Sequence, residues 1–174
     1  MKSKRIKEPS RDSSLLTSQL LFEKLKEFEG CRLEAYQDAA GVWTIGYGHT
    51  YNVRKGDKIS QFWAEELLRK DIEMAERQVL RLNVCKTQAQ LDALVSFVFN
   101  LGIDKLKRST LLQLIEAQWP PSTVIKEWKK WNRAGGVFMR GLLARRTWEV
   151  KRFYNPSPDL DDVREQMETK GKEG

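Results

Sequence analysis

Apolar residues recur every three or four positions in several segments of the chain, with polar residues between them, which is the spacing of amphipathic helices. The first such segment spans residues 17–28, and Gly30 follows it as a helix stop. Leu21, Phe22 and Leu25 fall within one arc of this helix. We therefore expect that face to be buried.

The pattern changes between residues 33 and 50, where strand-favouring residues are interspersed with glycines. Such residues suit a pleated surface, and glycines suit turns and bends. The segment predicts a small antiparallel sheet with a turn at residues 39–41. The strand-favouring residues are Val42, Trp43, Thr44, Ile45 and Tyr47, and the glycines are Gly41, Gly46 and Gly48.

The remainder of the chain reads as helices with recognisable starts. Ser60 suits the N-cap of a long helix, and Thr87 with Gln90 forms a capping box for the next. Shorter helices are expected near 109–117 and from 122 to the glycines at 135 and 136, and a last helix over 142–154. The fold class is therefore α+β, with a small antiparallel β lobe near the N-terminus and a larger helical lobe joined by a long helix.

Both ends of the chain differ from its middle. Residues 1–14 predict a disordered basic arm, residues 15–155 one domain, and residues 156–174 a charged, disordered tail. The leucines of residues 15–21 are too interrupted by polar residues for a signal peptide. The apolar stretch 94–103 is far shorter than the roughly 20 residues that span a bilayer. We expect a protein made in the cytoplasm without stable membrane insertion.

The chain carries 31 Lys and Arg against 24 Asp and Glu, a formal charge of +7. This balance predicts attraction to a polyanion, which nucleic acid, anionic lipid and an acidic cell-wall polymer would all satisfy. Two cysteines and one histidine suit neither a disulfide scaffold nor a structural zinc site, so no metal or cofactor is expected. Gly46 and Gly48 lack the third glycine and helix start of a phosphate loop.

Glu29 is the first candidate for chemistry, because it falls inside the apolar arc of the first helix. Glu23 and Glu27 project to the opposite side. Burial and the helix dipole at a C-terminal end both favour a protonated carboxyl, which a general acid needs. The alternative is a frayed, solvated residue at the helix end.

Two further residues complete a possible hydrolytic set. Asp38 lies at the start of the turn, and Thr44 follows six positions later on the returning strand. Strand alternation places Thr44 on the face of Val42 and Gly46, beside an open, glycine-lined surface, while the aromatic face packs. An acid, a second carboxylate and a hydroxyl that holds water suit glycosidic hydrolysis.

Several motifs now resemble those of the phage-type lysozymes, glycoside hydrolase family 24. They follow the family order over residues 20–154. The motifs are Glu29-Gly30, Ala35, Tyr36, Asp38, Gly41, the run Trp43–Thr50, Phe97–Gly102, Arg108–Leu112, Trp131–Gly136, Gly141-Leu142 and Arg145-Arg146.

The resemblance implies a lysozyme-like fold and a role for each residue of the set. Glu29 would be the general acid, Asp38 the carboxylate on the water side and Thr44 the residue that orients the water. It implies cleavage between N-acetylmuramic acid and N-acetylglucosamine, with inversion. His49 would form a structural ion pair with Asp71, the alternative being a proton shuttle.

The resemblance also implies residues that line a sugar-binding cleft, namely Thr50, Phe99, Asn100 and Thr110. Phe99 equally continues the apolar stripe of its helix, and Asn100 equally suits a helix cap. Arg145 and Arg146 are either solvated charges or partners for buried acids near the cleft.

The expected partner is the peptidoglycan glycan strand, with no nucleic acid bound. The family resemblance implies a monomeric endolysin that waits in the host cytoplasm until a separate pore-forming holin releases it to the cell wall. One alternative is a cysteine hydrolase using Cys31 and His49. Another is a wall-binding or nucleic-acid-binding module, although no nucleic-acid motif beyond charge is present. Whether Cys31 pairs with Cys85 is open.

Overall fold

The structure is a computed structural model that describes residues 16–154. The predicted arm of residues 1–14 and tail of residues 156–174 lie outside the described residues. The elements are α1 (Gln19–Glu29), β1 (Arg32–Gln37), β2 (Trp43–Gly46), α2 (Gln61–Leu80), α3 (Gln88–Leu101), α4 (Ile103–Lys107), α5 (Thr110–Glu116), α6 (Pro121–Lys129), β3 (Arg133–Ala134), β4 (Val137–Phe138) and α7 (Arg140–Tyr154).

The helix starts follow the capping residues in the sequence. The side chains of Ser60 and Thr87 accept hydrogen bonds from backbone N–H groups in the first turns of α2 and α3. The Gln90 side chain accepts from the N–H of Lys86 at 2.8 Å, one residue before the N-cap. The capping box at α3 is therefore displaced by one residue from the expected reciprocal pair.

The β lobe is an antiparallel hairpin with Tyr36 opposite Thr44 and a turn between its strands. Residues 57–59 run beside β1, since the N–H of Ala35 donates to the Asp57 carbonyl at 2.9 Å. The long helix α2 leaves this lobe with Ala64 against the backbone of Gly46 and ends in the helical lobe.

The helical lobe surrounds α3, whose residues 91–98 are all buried. Helices α2 and α7 pack against it, and Trp128 of α6 inserts fully. The rings of Phe97 and Phe153 meet Trp128 edge to face, with centroids 6.0 and 5.3 Å away. The predicted α+β class, a small β lobe joined to a larger helical lobe by a long helix, is confirmed.

Three elements were not predicted, α4 and the strands β3 and β4. Helix α4 has only five residues, between Gly102 and the N-cap of the next helix, Ser109. Gly135 and Gly136, expected only to end a helix, have φ of 55° and 80° and form the turn between β3 and β4. Two glycines with positive φ are a typical two-residue hairpin turn. No helix within residues 16–154 is long and apolar enough to cross a membrane.

Candidate active site

Glu29 is the last residue of α1, and its side chain is 22% exposed. Its Oε1 accepts a hydrogen bond from Nη1 of Arg145. Its Oε2 accepts none from residues 16–154, and it faces Gly48, where an added Cβ would lie 3.7 Å away. One oxygen of this carboxyl is therefore anchored, and the other lies beside a glycine without a hydrogen bond from the described residues.

Glu29 has a partner that the sequence prediction did not include. Its side chain is partly buried, as expected, and it pairs with the guanidinium of Arg145. The structure also decides between the two interpretations of Arg145 and Arg146. Both are buried, at 3% and 0% exposure, and both contact acids.

Arg145 is fixed by a single residue of α3. Its Nε donates to the hydroxyl of Ser96 at 3.2 Å, and its Nη2 donates to the Ser96 carbonyl at 2.9 Å. The guanidinium also lies 5.3 Å from the centre of the Phe28 ring. These contacts leave Nη1 to reach Glu29.

Glu149 lies beneath these groups and is fully buried. It accepts hydrogen bonds from the Ser96 hydroxyl at 2.7 Å and the Trp128 indole at 2.8 Å, and Nε of Arg146 lies 3.0 Å away. Burial raises the pKa of Glu149, and burial lowers the pKa of Arg146 to about 10. We call Glu29, Arg145, Arg146 and Glu149 the buried charge cluster.

Sequence reasoning missed Glu149. Its signal was its position, because Arg145 and Arg146 precede it by four and three residues, and Val150 and Phe153 continue the same buried side of α7. An acid on the core side of a helix, next to two arginines, indicates a buried ion pair.

Asp38 is held by the turn in which it lies. Its Oδ1 accepts from the N–H groups of Ala40 and Val42 at 2.9 and 2.8 Å. Its own N–H donates to the Val42 carbonyl at 3.0 Å. The Oδ2 atom accepts no hydrogen bond from the described part of the chain. Like Glu29, Asp38 has one anchored and one available oxygen.

Thr44 is only 3% exposed, so the prediction of an open, glycine-lined surface beside it is wrong. The neighbouring residues Ile45 and Gly46 are buried as well, and Ala64 of α2 packs against Gly46. The Thr44 hydroxyl donates to the Val42 carbonyl at 3.0 Å. The lone pairs of the hydroxyl oxygen remain available to accept a hydrogen bond from a water.

His49 lies between two acceptors. Its Nδ1 is 2.8 Å from Oδ2 of Asp71, and its Nε2 is 3.0 Å from the carbonyl of Tyr51. The thiol of Cys31 instead lies 3.7 Å from Oε1 of Gln61, and desolvation raises its pKa. An activated cysteine needs a lowered pKa and an available base, so this geometry does not suit a cysteine hydrolase.

Cys31 and Cys85 are both free thiols. Burial raises the pKa of Cys85 to about 12. Among residues 16–154, no group of three or more His, Cys, Asp or Glu side chains is placed to hold a metal ion.

The predicted sugar-binding residues divide into two pairs. Thr50 and Thr110 are exposed, and Thr110 is the first residue of α5. Phe99 is half-buried against the core, 6.0 Å from the guanidinium of Arg145. The side-chain oxygen of Asn100 accepts from Arg146 at 3.0 Å. The second pair is therefore tied to the buried charge cluster.

The two candidate carboxyls thus lie at a helix end and in a hairpin turn. Two carboxyls that differ in environment are the machinery of glycoside hydrolases. The fold and these carboxyls are typical of that class.

Comparison with known proteins narrows the class. Residues 26–149 match the family model described as phage lysozyme. The chain is 41% identical over 134 residues to an endolysin of Acyrthosiphon pisum secondary endosymbiont phage 1, covering 74% of this chain and 91% of that protein. It is 42% identical over 140 residues to an endolysin of Bacillus phage B103, covering 78% of this chain and 53% of that longer protein.

A solved structure supports the same conclusion. The muramidase domain of SpmX from Asticaccaulis excentricus superposes with a TM-score of 0.74 at 33% identity, covering 83% of this chain and 99% of that domain. This chain belongs to the phage lysozyme family. The predicted enzyme class, a lysozyme that hydrolyses peptidoglycan, is confirmed.

Proposed function

We propose that this lysozyme cleaves the β-1,4 bond between N-acetylmuramic acid and N-acetylglucosamine with inversion, using Glu29, Asp38 and Thr44. The observation that carries the proposal is that Glu29 and Asp38 are each anchored through one oxygen only. Each carboxyl is thereby oriented while its second oxygen is available to react.

In the proposed reaction, Oε2 of protonated Glu29 gives its proton to the glycosidic oxygen as the bond to the anomeric carbon breaks. A water attacks that carbon from the opposite face, and Oδ2 of Asp38 takes up the water proton. Thr44 accepts a hydrogen bond from this water, because its own hydroxyl hydrogen is engaged by Val42.

The glycan would lie along the residues predicted from the resemblance. Phe99 offers an aromatic face to a sugar ring, and Asn100, Thr50 and Thr110 offer amide and hydroxyl groups. The link from Asn100 to Arg146 supports this placement, since it holds the amide in one orientation beside the buried charge cluster.

We also propose that the enzyme is a monomer held in the host cytoplasm until a separate holin opens a route to the cell wall. The similarity to phage endolysins supports this proposal. Light scattering after size-exclusion chromatography measures the molar mass and so tests whether the enzyme is a monomer. The time of cell lysis with and without a co-expressed holin tests whether release to the cell wall depends on the holin.

The central experiment follows the turbidity of permeabilised Gram-negative cells with wild type and Glu29→Gln, together with new reducing ends. We expect wild type to release reducing ends from muramic acid and Glu29→Gln to lose activity by about 10²–10⁴-fold. Glu27→Gln is the matched control, because Glu27 lies on the same helix end but is 60% exposed and pairs with Lys24.

If wild type produced no new reducing ends, the proposed cleavage of the glycosidic bond would be wrong. Inversion is tested separately by NMR of the first-formed product. The anomer opposite to that of the substrate is expected at early times, and the same anomer would show retention.

A further inference from the structure

We infer that Glu149 is a positioning residue for catalysis, which acts through Arg145 to keep Glu29 able to carry the proton that the reaction needs. This inference rests on the proposed role of Glu29 as the general acid. It assigns a role to a fully buried carboxylate that does not touch the cleft.

The orientation of Arg145 depends on Glu149 through Ser96. The Ser96 hydroxyl donates to Oε1 of Glu149 and accepts from Nε of Arg145, and the same Glu149 oxygen lies 3.5 Å from that Nε. With Nη2 bound to the Ser96 carbonyl, Nη1 is the nitrogen left to reach Glu29. Each link is a hydrogen bond or ion pair between buried or half-buried groups.

The donors around Glu149 favour its ionised form. Nε1 of Trp128 and Nε of Arg146 both approach Oε2, and neither nitrogen can accept a proton from a carboxylic acid. Burial raises the pKa of Glu149, while both arginines, Ser96 and Trp128 act against that rise. A proton on Oε2 would face donors only, and a proton on Oε1 would compete with Nε of Arg145 for the Ser96 hydroxyl oxygen, so we take Glu149 as the second negative charge of the cluster.

This charge matters for Glu29 because the two carboxylates share the positive charge of two arginines. With both carboxylates ionised the buried charge cluster is neutral, and protonation of Glu29 leaves one excess positive charge. Without Glu149 that excess would be two. Glu149 therefore makes the protonated, acid-competent state of Glu29 less costly.

Among residues 16–154, four helices meet at the cluster. Helix α1 contributes Glu29, α3 contributes Ser96, α6 contributes Trp128, and α7 contributes both arginines and Glu149. The β lobe contributes Gly48 beside Oε2 of Glu29, and the next residue, His49, pairs with Asp71 of α2.

The test is the pH dependence of kcat/KM on solubilised peptidoglycan, whose alkaline limb reports loss of the acid's proton in the free enzyme. Glu149→Gln removes the charge, so we expect the limb to move to lower pH by about one unit. Glu149→Asp keeps the charge and should move it less than half as far. An unmoved limb in Glu149→Gln, or equal movement in both variants, would overturn the inference.

Arg146→Met provides a second test, in which the alkaline limb should move in the opposite direction. This test can be made even if Glu149→Gln does not fold. Removing one positive charge should move the alkaline limb to higher pH. Asp92→Asn is the matched control, since Asp92 is also fully buried and paired with an arginine, Arg152, but has no bond to Glu29. The alkaline limb of the Asp92→Asn profile should stay near that of wild type.

A limb that moves the same way in Arg146→Met and Glu149→Gln would contradict the inference, as would an equal shift in Asp92→Asn. Glu29→Gln separates this inference from the proposed function. If Glu29→Gln stays active, the acid assignment fails. If Glu29→Gln is inactive and Glu149→Gln keeps the wild-type limb, only the role of Glu149 fails.

Discussion

The two candidate catalytic carboxylates are anchored in opposite ways. Asp38 is held by backbone N–H groups two and four residues further along its own turn. Glu29 is held by Arg145, which lies 116 residues away in the sequence. The turn that fixes Asp38 needs only local chain geometry, whereas the position of Glu29 depends on the packing of α7 against α3.

This difference predicts which substitutions disturb the whole protein and which disturb only the site. A charge in the buried cluster has lost its water and depends on its partners, so removing a partner is costly. A carboxylate in a turn keeps contact with solvent, so removing it costs only the hydrogen bonds of the turn.

Arg145→Met should give the largest effect, because it leaves Glu149 with one arginine and Glu29 with none. We expect a loss of about 3–5 kcal/mol in the free energy of unfolding, measured by urea denaturation. Arg77→Met is the control, since Arg77 forms an exposed pair with Glu73 at the same spacing as Arg145 and Glu149. Equal losses in both variants would show that the buried cluster does not stabilise the fold.

Asp38→Ala should cost less, about 1–2 kcal/mol, because it removes the acceptor for two backbone N–H groups of the turn. Asp38→Asn keeps an acceptor oxygen and should unfold nearly as wild type does. Both variants should lose activity by about 10²–10⁴-fold, because neither has the carboxylate. An active Asp38→Asn variant would remove Asp38 from the proposed mechanism.

Gly48→Ala tests the open side of Glu29. Gly48 has φ of 89°, and an added Cβ would lie 3.7 Å from Oε2 of Glu29. Gly56 has the same φ with nothing within 4 Å of an added Cβ, so Gly56→Ala imposes the same strain elsewhere. We expect each variant to lose about 1 kcal/mol of stability and only Gly48→Ala to lose activity. Equal activity in both would show that this side of Glu29 does not receive the substrate.

The same contrast between local and distant contacts explains what the sequence could predict. Ser60 and Thr87 mark helix starts through bonds to their own next residues, and the alternation in β2 assigns its faces. The burial of Thr44 could not be predicted, because strand alternation separates two faces without showing what packs on either of them.

The sequence could indicate only part of the buried charge cluster. The position of Glu29 on the apolar arc indicated partial burial, but the arginine that anchors it comes from the last helix. The spacing of Glu149 after Arg145 and Arg146 indicates an ion pair within α7 but not the partners on other helices. Only the three-dimensional packing of α3 and α6 shows that its partners are Ser96 and Trp128.

Glu65→Gln should give the smallest loss of stability. It removes a partly exposed ion pair that α1 makes through Lys26, for comparison with the more buried pair that α1 makes through Glu29. Glu65 accepts from Lys26, three residues before Glu29, in a pair whose side chains are 30% and 25% exposed. Solvent screens this pair, so the loss near pH 7 should be about 0.5 kcal/mol. Bonds from Gln61 and Lys26 lower the pKa of Glu65 below 4.5. Its contribution should therefore be present above that pH and disappear as the pH falls through the folded-state pKa. A difference between wild type and Glu65→Gln that persists at lower pH would show that the charge of Glu65 is not what stabilises the pair.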